Sequence, residues 1–300
     1  MVSPTDVPRC SSASLLRGDP QAGTAPVASR WLLVEHQGPW AKKPTDTEPL
    51  FGAVGAEVDA RAASFGGKVL LVRRPGRRVP GAEEQHWIAV DTVRRTQVRG
   101  TWRTAADLLE AARALGSALS ASHEEAEPML LVCTHGIRDA CCAVRGRPIV
   151  NTLARAFPDQ VWETTHLGGH RFAGTLLTLP DGACFGRLDP ASAAEVVGAH
   201  RQGRTDPAHL RGTTRWEPAV QAALVAALDA HGPAAADDLV PGVVESDGAL
   251  TTVEVRGRAP LPELTVVDVV TEALPDAALS CGDKPKAHVA QRARVRDLSV

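Results

Sequence analysis

One order of elements, read twice along the chain, constrains its fold more than any other feature. Trp31 to Val34 reads as a short buried strand, and residues 52–65 read as a helix that stops at Gly66-Gly67. Lys68 to Val72 is a second strand, followed by a basic, Pro/Gly-rich loop from Arg73 to Gly81. His86 to Val90 and Thr92 to Val98 are further strands. Thr104, with Asp107 three residues on, then caps a helix that carries Leu108, Ala112, Leu115 and Leu119 on one face. After the polar connection SASHEEAEP the order returns. Met129 to Val132 is a strand, and a loop through Cys142 leads to a helix begun near Pro148. Gln160 to Thr165 and Phe172 to Leu179 are strands, and Pro180-Asp181-Gly182 turns the chain back along Ala183 to Leu188. Asp189-Pro190 opens a last helix that stops at Gly203. Both passes read β-α-β-β-α, with an extra strand in the first, offset by about one hundred residues.

The repeat is one of structure and not of sequence. Only WLLVEHQG and LLVCTHG look alike, and Glu35 and His36 stand in the first where Cys133 and Thr134 stand in the second. The first copy has no cysteine, so it carries no thiolate site of the same kind. The expected fold is α/β, divided into an irregular segment at 1–28, a first unit at 29–125, a second at 126–205, and a small accessory α+β region at 206–300. In that last region Pro218 to His231 is a helix, Thr251 to Val255 and Leu264 to Val270 alternate like strands, and the basic tail has no assigned state.

Composition removes several function classes. Apolar content of 44% and a net charge of −2 are ordinary for a globular chain of 300 residues, and no basic block tracks phosphates, so no nucleic-acid partner is expected. The absence of tyrosine excludes chemistry that needs a phenol. The start MVSPTDVPRC lacks a basic segment followed by an apolar run, and no stretch is apolar for the roughly 20 residues that span a bilayer. The expected location is therefore the cytoplasm, where six cysteines point to reactive or metal-bound thiols and not to disulfides.

Chemistry concentrates in VCTHGIRDACCAVRGRP and ETTHLGGHRFAG. Cys133 ends a strand, Cys142 precedes a helix whose dipole favours a thiolate, and His166 and His170 flank Leu-Gly-Gly in a turn that can converge both rings. Soft sulfur and imidazole donors in two pairs can hold a single metal or a two-iron cluster. Each residue alone reads more simply as a small buried side chain or a surface imidazole; the set placed at the loop ends of one unit does not. Zinc suits Cys2His2 donors, but the Cys133–Cys142 spacing is longer than the closely spaced pairs of zinc fingers.

VCTHGIRDACC, the RGRP step and HLGGHRFAGTLLTLPDGACFGRLDP resemble the sucrase/ferredoxin-like family, a relative of thioredoxin-like [2Fe–2S] ferredoxins, over about residues 9 to 205. The resemblance implies two tandem thioredoxin-like units, with a [2Fe–2S] cluster ligated in the second by Cys133, Cys142, His166 and His170. Its implied task is electron transfer between redox partner proteins, with no membrane and no nucleic acid involved. Relatives often have Arg-Cys-Gly where this chain has Cys141-Cys142-Ala143, so Cys141 is an alternative to Cys142, and His135 is a weaker alternative ligand. Cys184 reads as core, and Cys10 and Cys281 receive no role. Arg138, Arg145, Arg147 and Arg171 either offset cluster charge or are ordinary surface cations.

The competing readings are a structural zinc protein and a thiol-redox protein. The second is weakened because Cys141-Cys142 is a vicinal pair and not Cys-x-x-Cys. A hydrolase is weaker still, since neither a Gly-x-Ser-x-Gly elbow nor a recognisable pair of opposed carboxylates is present. No nucleotide-binding glycine motif is evident, so a flavin or nicotinamide would come from a partner.

Overall fold

The computed structural model describes residues 9–76, 85–117 and 126–296. The chain forms two compact units: residues 28–167 with 176–182, and residues 1–27, 168–175 and 183–300. The class is mixed α/β, as expected, with a separate sheet near the C-terminus.

The first of these units begins with β1 (Arg30–Glu35), α2 (Gly55–Ser64), β2 (Gly67–Arg73), β3 (Gln85–Asp91), β4 (Thr96–Trp102) and α3 (Ala105–Ser117). It continues with β5 (Met129–Cys133), α4 (Ala140–Ala156), β6 (Val161–Thr164) and β7 (Leu176–Leu179). Its strands lie in the order β4-β3-β1-β2-β6-β5-β7. β1 runs parallel to β2, and β5 runs parallel to β6. The halves meet where β2 and β6 pair antiparallel over Val72↔Thr164 and Arg73↔Glu163. Both strands end at this joint, so the carboxyl ends of β1, β2, β5 and β6 converge there. Open α/β sheets place ligands outside such ends.

β1 is buried from Trp31 to Val34, as a central strand covered on both faces requires. Leu32, Val34, Leu71, Val58, Leu108 and Leu115 form one core beneath α2 and α3. Leu108, Ala112 and Leu115 face inward as the helical spacing predicts, while Leu119 and most of the polar connection after α3 lie outside the described residues. The loop after β2 is likewise described only to Gly76. Asp107 caps α3 by accepting from the Thr104 backbone N–H and hydroxyl at 2.8 and 3.0 Å.

Several boundaries move from their expected places: the strand expected from Phe172 starts only at Leu176, after a 3-10 turn at His170–Phe172, and the strand expected to run from Ala183 to Leu188 ends at Phe185. β4 starts at Thr96 because the Asp91 carboxylate accepts from the backbone of Val93 and Arg94, at 2.8 and 2.9 Å, and turns the chain first. α4 starts at Ala140, well before Pro148, because Asp139 accepts from the Cys141 N–H at 2.8 Å and supplies the cap. Cys142, Gly146, Ile149, Val150 and Leu153 then make one buried stripe. Pro148 sits on the exposed side of the helix and has no N–H to donate to the Val144 carbonyl.

The other unit contains α1 (Cys10–Arg17), which forms where irregular chain is expected, and a 3-10 turn at His170–Phe172 against which α1 packs. It also holds β8 (Ala183–Phe185), α5 (Pro190–Arg201), β9 (Leu210–Thr213) and α6 (Pro218–His231). Asp189 and Ser192 form the capping box that opens α5. The antiparallel strands β10 (Leu239–Asp247), β11 (Leu250–Gly257), β12 (Leu264–Ala277) and β13 (Lys286–Val295) follow in sequence order, with α6 packed against them. Val253, Val255, Val267 and Val269 alternate inward along β11 and β12. Within the basic tail, Lys286–Val295 is thus a strand, β13. Among the described residues no helix is long and apolar enough to cross a membrane.

Candidate metal centre

Cys133 is the last residue of β5, and Cys142 lies in the first turn of α4; both are buried. Their approach depends on Gly146: a Cβ there would collide with the Cys133 carbonyl oxygen. Gly146→Val is expected to push α4 off the end of β5 and cost about 1–3 kcal/mol, read as a lower midpoint in urea unfolding. Unchanged stability would show that the helix can shift freely.

His166 follows β6 and completes a group of three. Its Nδ1 lies 3.6 Å from the Cys142 Sγ and 4.0 Å from the Cys133 Sγ, and the three donor atoms all lie within 4.8 Å of one another. Metal–sulfur and metal–nitrogen bonds of about 2.3 and 2.0–2.1 Å put adjacent corners of a tetrahedron about 3.6 Å apart. The two thiols also share a proton unequally. Burial would raise the Cys133 thiol, but the Cys142 S–H, His166 and the His135 backbone N–H hold it well below the ordinary thiol range. Cys142 is pushed up in turn, by donating to Cys133 and by burial. Two thiols whose acidities are pushed apart, with the more acidic one at the strand end, suit a soft metal, which takes its sulfur ligands as thiolates.

His170 belongs to the other unit. It opens the 3-10 turn there, and its Nε2 lies 2.5 Å from the Ser280 hydroxyl. Gly168 and Gly169 precede it with φ of +76° and +63°, the left-handed region that a tight Leu-Gly-Gly turn requires. Cys141, next to Cys142 on α4, is a further helical step of about 100° around the axis and is outside the three-residue group. His135 is buried edge-on to Trp40, with centroids 5.8 Å apart, and burial lowers its pKa. Cys184 is buried in β8, as expected. Arg138, Arg145 and Arg147 are exposed, whereas Arg171 is largely buried and lies 3.8 Å from Asp19.

Sequence reasoning does not find the polar seam beside the thiols. Arg73 stacks over Trp40 at 4.2 Å and pairs with Glu163 at 2.8 Å, and Glu163 accepts from the Thr134 hydroxyl at 2.7 Å. Thr165 adds a hydroxyl that accepts from the Leu71 N–H at 3.0 Å. These bonds anchor the residue after Cys133 and the residue before His166 to β2. The apolar-to-polar switch at the end of each strand is the only trace they leave in the sequence.

The sucrase/ferredoxin-like family model matches residues 21–212, a span that includes both halves of the sheet and every residue of the candidate site. The chain belongs to the sucrase/ferredoxin-like family. No curated protein and no solved structure matches it. The family relation and the Cys/His group together mark this sucrase/ferredoxin-like protein as a candidate metal binder.

Proposed function

We propose that this protein is a cytoplasmic electron carrier that binds a [2Fe–2S] cluster through Cys133, Cys142, His166 and His170 and exchanges electrons with redox partner proteins. Each β-α-β-β-α stretch, at 29–125 and 126–205, is on this reading a thioredoxin-like unit, and only the second holds the cluster. The observation that carries the proposal is the convergence of Cys133, Cys142 and His166 in a chain of a ferredoxin-related family. When bound, the cluster supplies one-electron chemistry at a potential set by its ligands and surroundings.

The chain's own residues have defined tasks. Cys133 and Cys142 provide negative charge from a buried site, and the histidines add neutral donors that make reduction easier. The His135 backbone N–H hydrogen-bonds to the Cys133 sulfur, an interaction that raises the potential. The Arg73–Glu163–Thr134 seam holds the Cys133 loop in place. His166→Cys is expected to lower the potential by at least about 100 mV, because a charged thiolate replaces a neutral imidazole. Equilibrium redox titration checks this, and an unchanged potential would remove His166 from the ligand set.

The sulfur–nitrogen spacing of 3.6 Å also fits a single tetrahedral metal, so mononuclear zinc held by Cys133, Cys142 and His166 is a second reading. An absorption spectrum of anaerobically purified protein, with iron and zinc measured on the same sample, separates the two. About two irons per chain and a red-brown colour bleached by dithionite support the cluster. A colourless protein with stoichiometric zinc supports the second reading. A colourless, metal-free protein that cannot be reconstituted with iron and sulfide overturns both.

A further inference from the structure

Two cysteines that the metal reading leaves aside lie together in the second compact unit. Cys10 is the first residue of α1 and is 3% exposed. Cys281 is half-buried in the loop between β12 and β13, and its Sγ lies 3.7 Å from the Cys10 Sγ, across 271 residues of sequence. Both are positioned by the same feature. α1 packs on the His170–Phe172 turn, and Ser280, next to Cys281, places its hydroxyl 2.5 Å from the His170 Nε2. The loop is closed at its base by the Ala277↔Lys286 pair and tightened by the Asp283 N–H donating to the Ser280 carbonyl at 3.3 Å. The sulfurs therefore lie 3.7 Å apart on two anchored segments, and a bond between them requires that separation to close to about 2.05 Å.

We propose that Cys10 and Cys281 are a reversible disulfide site, oxidised by peroxide or by a low-molecular-weight disulfide and reopened by thiols. Cys281, the more accessible thiol, reacts first. With peroxide its thiolate displaces hydroxide to give a sulfenic acid, and Cys10 then attacks that sulfur and releases water. With a disulfide such as oxidised glutathione, Cys281 forms a mixed disulfide and expels one thiol, and Cys10 expels the second. Either route removes two electrons and two protons from the cysteine pair. The bond ties α1 to the loop that carries Ser280.

The test uses the full chain, equilibrated in glutathione mixtures of increasing oxidised fraction, alkylated and digested without reductant. The expected result is a peptide pair joining Cys10 to Cys281, lost after dithiothreitol and absent from Cys281→Ser, in which Cys10 is recovered alkylated. Exchange of the 278–285 amides with deuterium should slow several-fold in the oxidised wild type and not in Cys281→Ser. Glutathione retained on Cys281 with no internal bond, or Cys281 joined to a different cysteine, overturns the proposal. The same peptide pair is expected from iron-loaded and metal-free samples, so this outcome is independent of the metal reading.

Discussion

Cys133→Ser is expected to abolish metal binding, with iron or zinc content falling at least tenfold and visible absorbance lost if the metal is iron. The serine hydroxyl nearly matches the thiol in size, so the end of β5 should keep its path. What disappears is the group that already favours the thiolate, held low by Cys142, His166 and the His135 N–H against the effect of burial. A hydroxyl does not ionise under these conditions, and without the Cys133 thiolate the coordination set is incomplete. Cys141→Ser is the matched control. It alters a neighbouring thiol on the same helical turn but not the group of three, and it should retain metal at close to the wild-type level. Metal analysis with circular dichroism on each variant is sufficient. Full metal content in Cys133→Ser would remove Cys133 as a ligand, and loss of metal only in Cys141→Ser would exchange the roles of the vicinal pair.

Arg211→Ala is expected to be the most damaging single change to stability, at about 3–5 kcal/mol, or a fall in Tm of roughly 10 °C. Arg211 on β9 is fully buried. Its Nε donates to the Thr24 hydroxyl at 3.0 Å, its Nη1 to the Gly168 carbonyl at 3.1 Å, and its Nη2 to the Thr24 carbonyl. Its guanidinium also lies 5.7 Å from the centre of the Phe172 ring. Truncation removes the guanidinium donors from two half-buried carbonyls, at Thr24 and Gly168, and opens a cavity against that ring. Arg211→Lys should recover little, because one ammonium cannot serve three directions from a common plane. Since Gly168 and Gly169 lead directly into His170, the same variant should loosen the turn that presents this histidine. Thermal melts of both variants test the argument, and a loss below 1 kcal/mol in Arg211→Ala would show that water replaces the guanidinium.

The α/β class is legible in the sequence, and of the four expected site residues three meet in one group, Cys133, Cys142 and His166. Cys133 is found because an apolar strand ends on it, and His166 because it follows another strand into a glycine turn. The start of α4 is misplaced because Pro148 is the louder signal, while the actual cap is a single Asp139 carboxylate whose partner is the N–H of Cys141, two residues on. α1 is missed because its serines and basic flank read as irregular chain, and what stabilises it is packing against the turn at residues 170–172. Arg211 leaves no trace in the sequence because one arginine in a short strand looks like any surface cation. Its burial follows from long-range partners at Thr24 and Gly168. Residue pairs far apart in sequence, such as Arg73 with Glu163 or Cys10 with Cys281, become visible only when the backbone is closed.

The β2–β6 joint carries a consequence for symmetry. In the repeat, β2 and β6 occupy equivalent places, and they pair with each other antiparallel. The strand order β3-β1-β2 is then mirrored in β6-β5-β7. Equivalent strands meeting antiparallel is the signature of an isologous two-fold interface. The β2–β6 pairing therefore has the antiparallel form that a two-fold interface between identical strands would have. At such an interface two equivalent strand ends, one from each side, would face the same seam. Here the end of β5 carries a thiol at Cys133 and the end of β1 carries a carboxylate at Glu35, so the two ends that meet at the seam differ in chemistry although their backbones correspond.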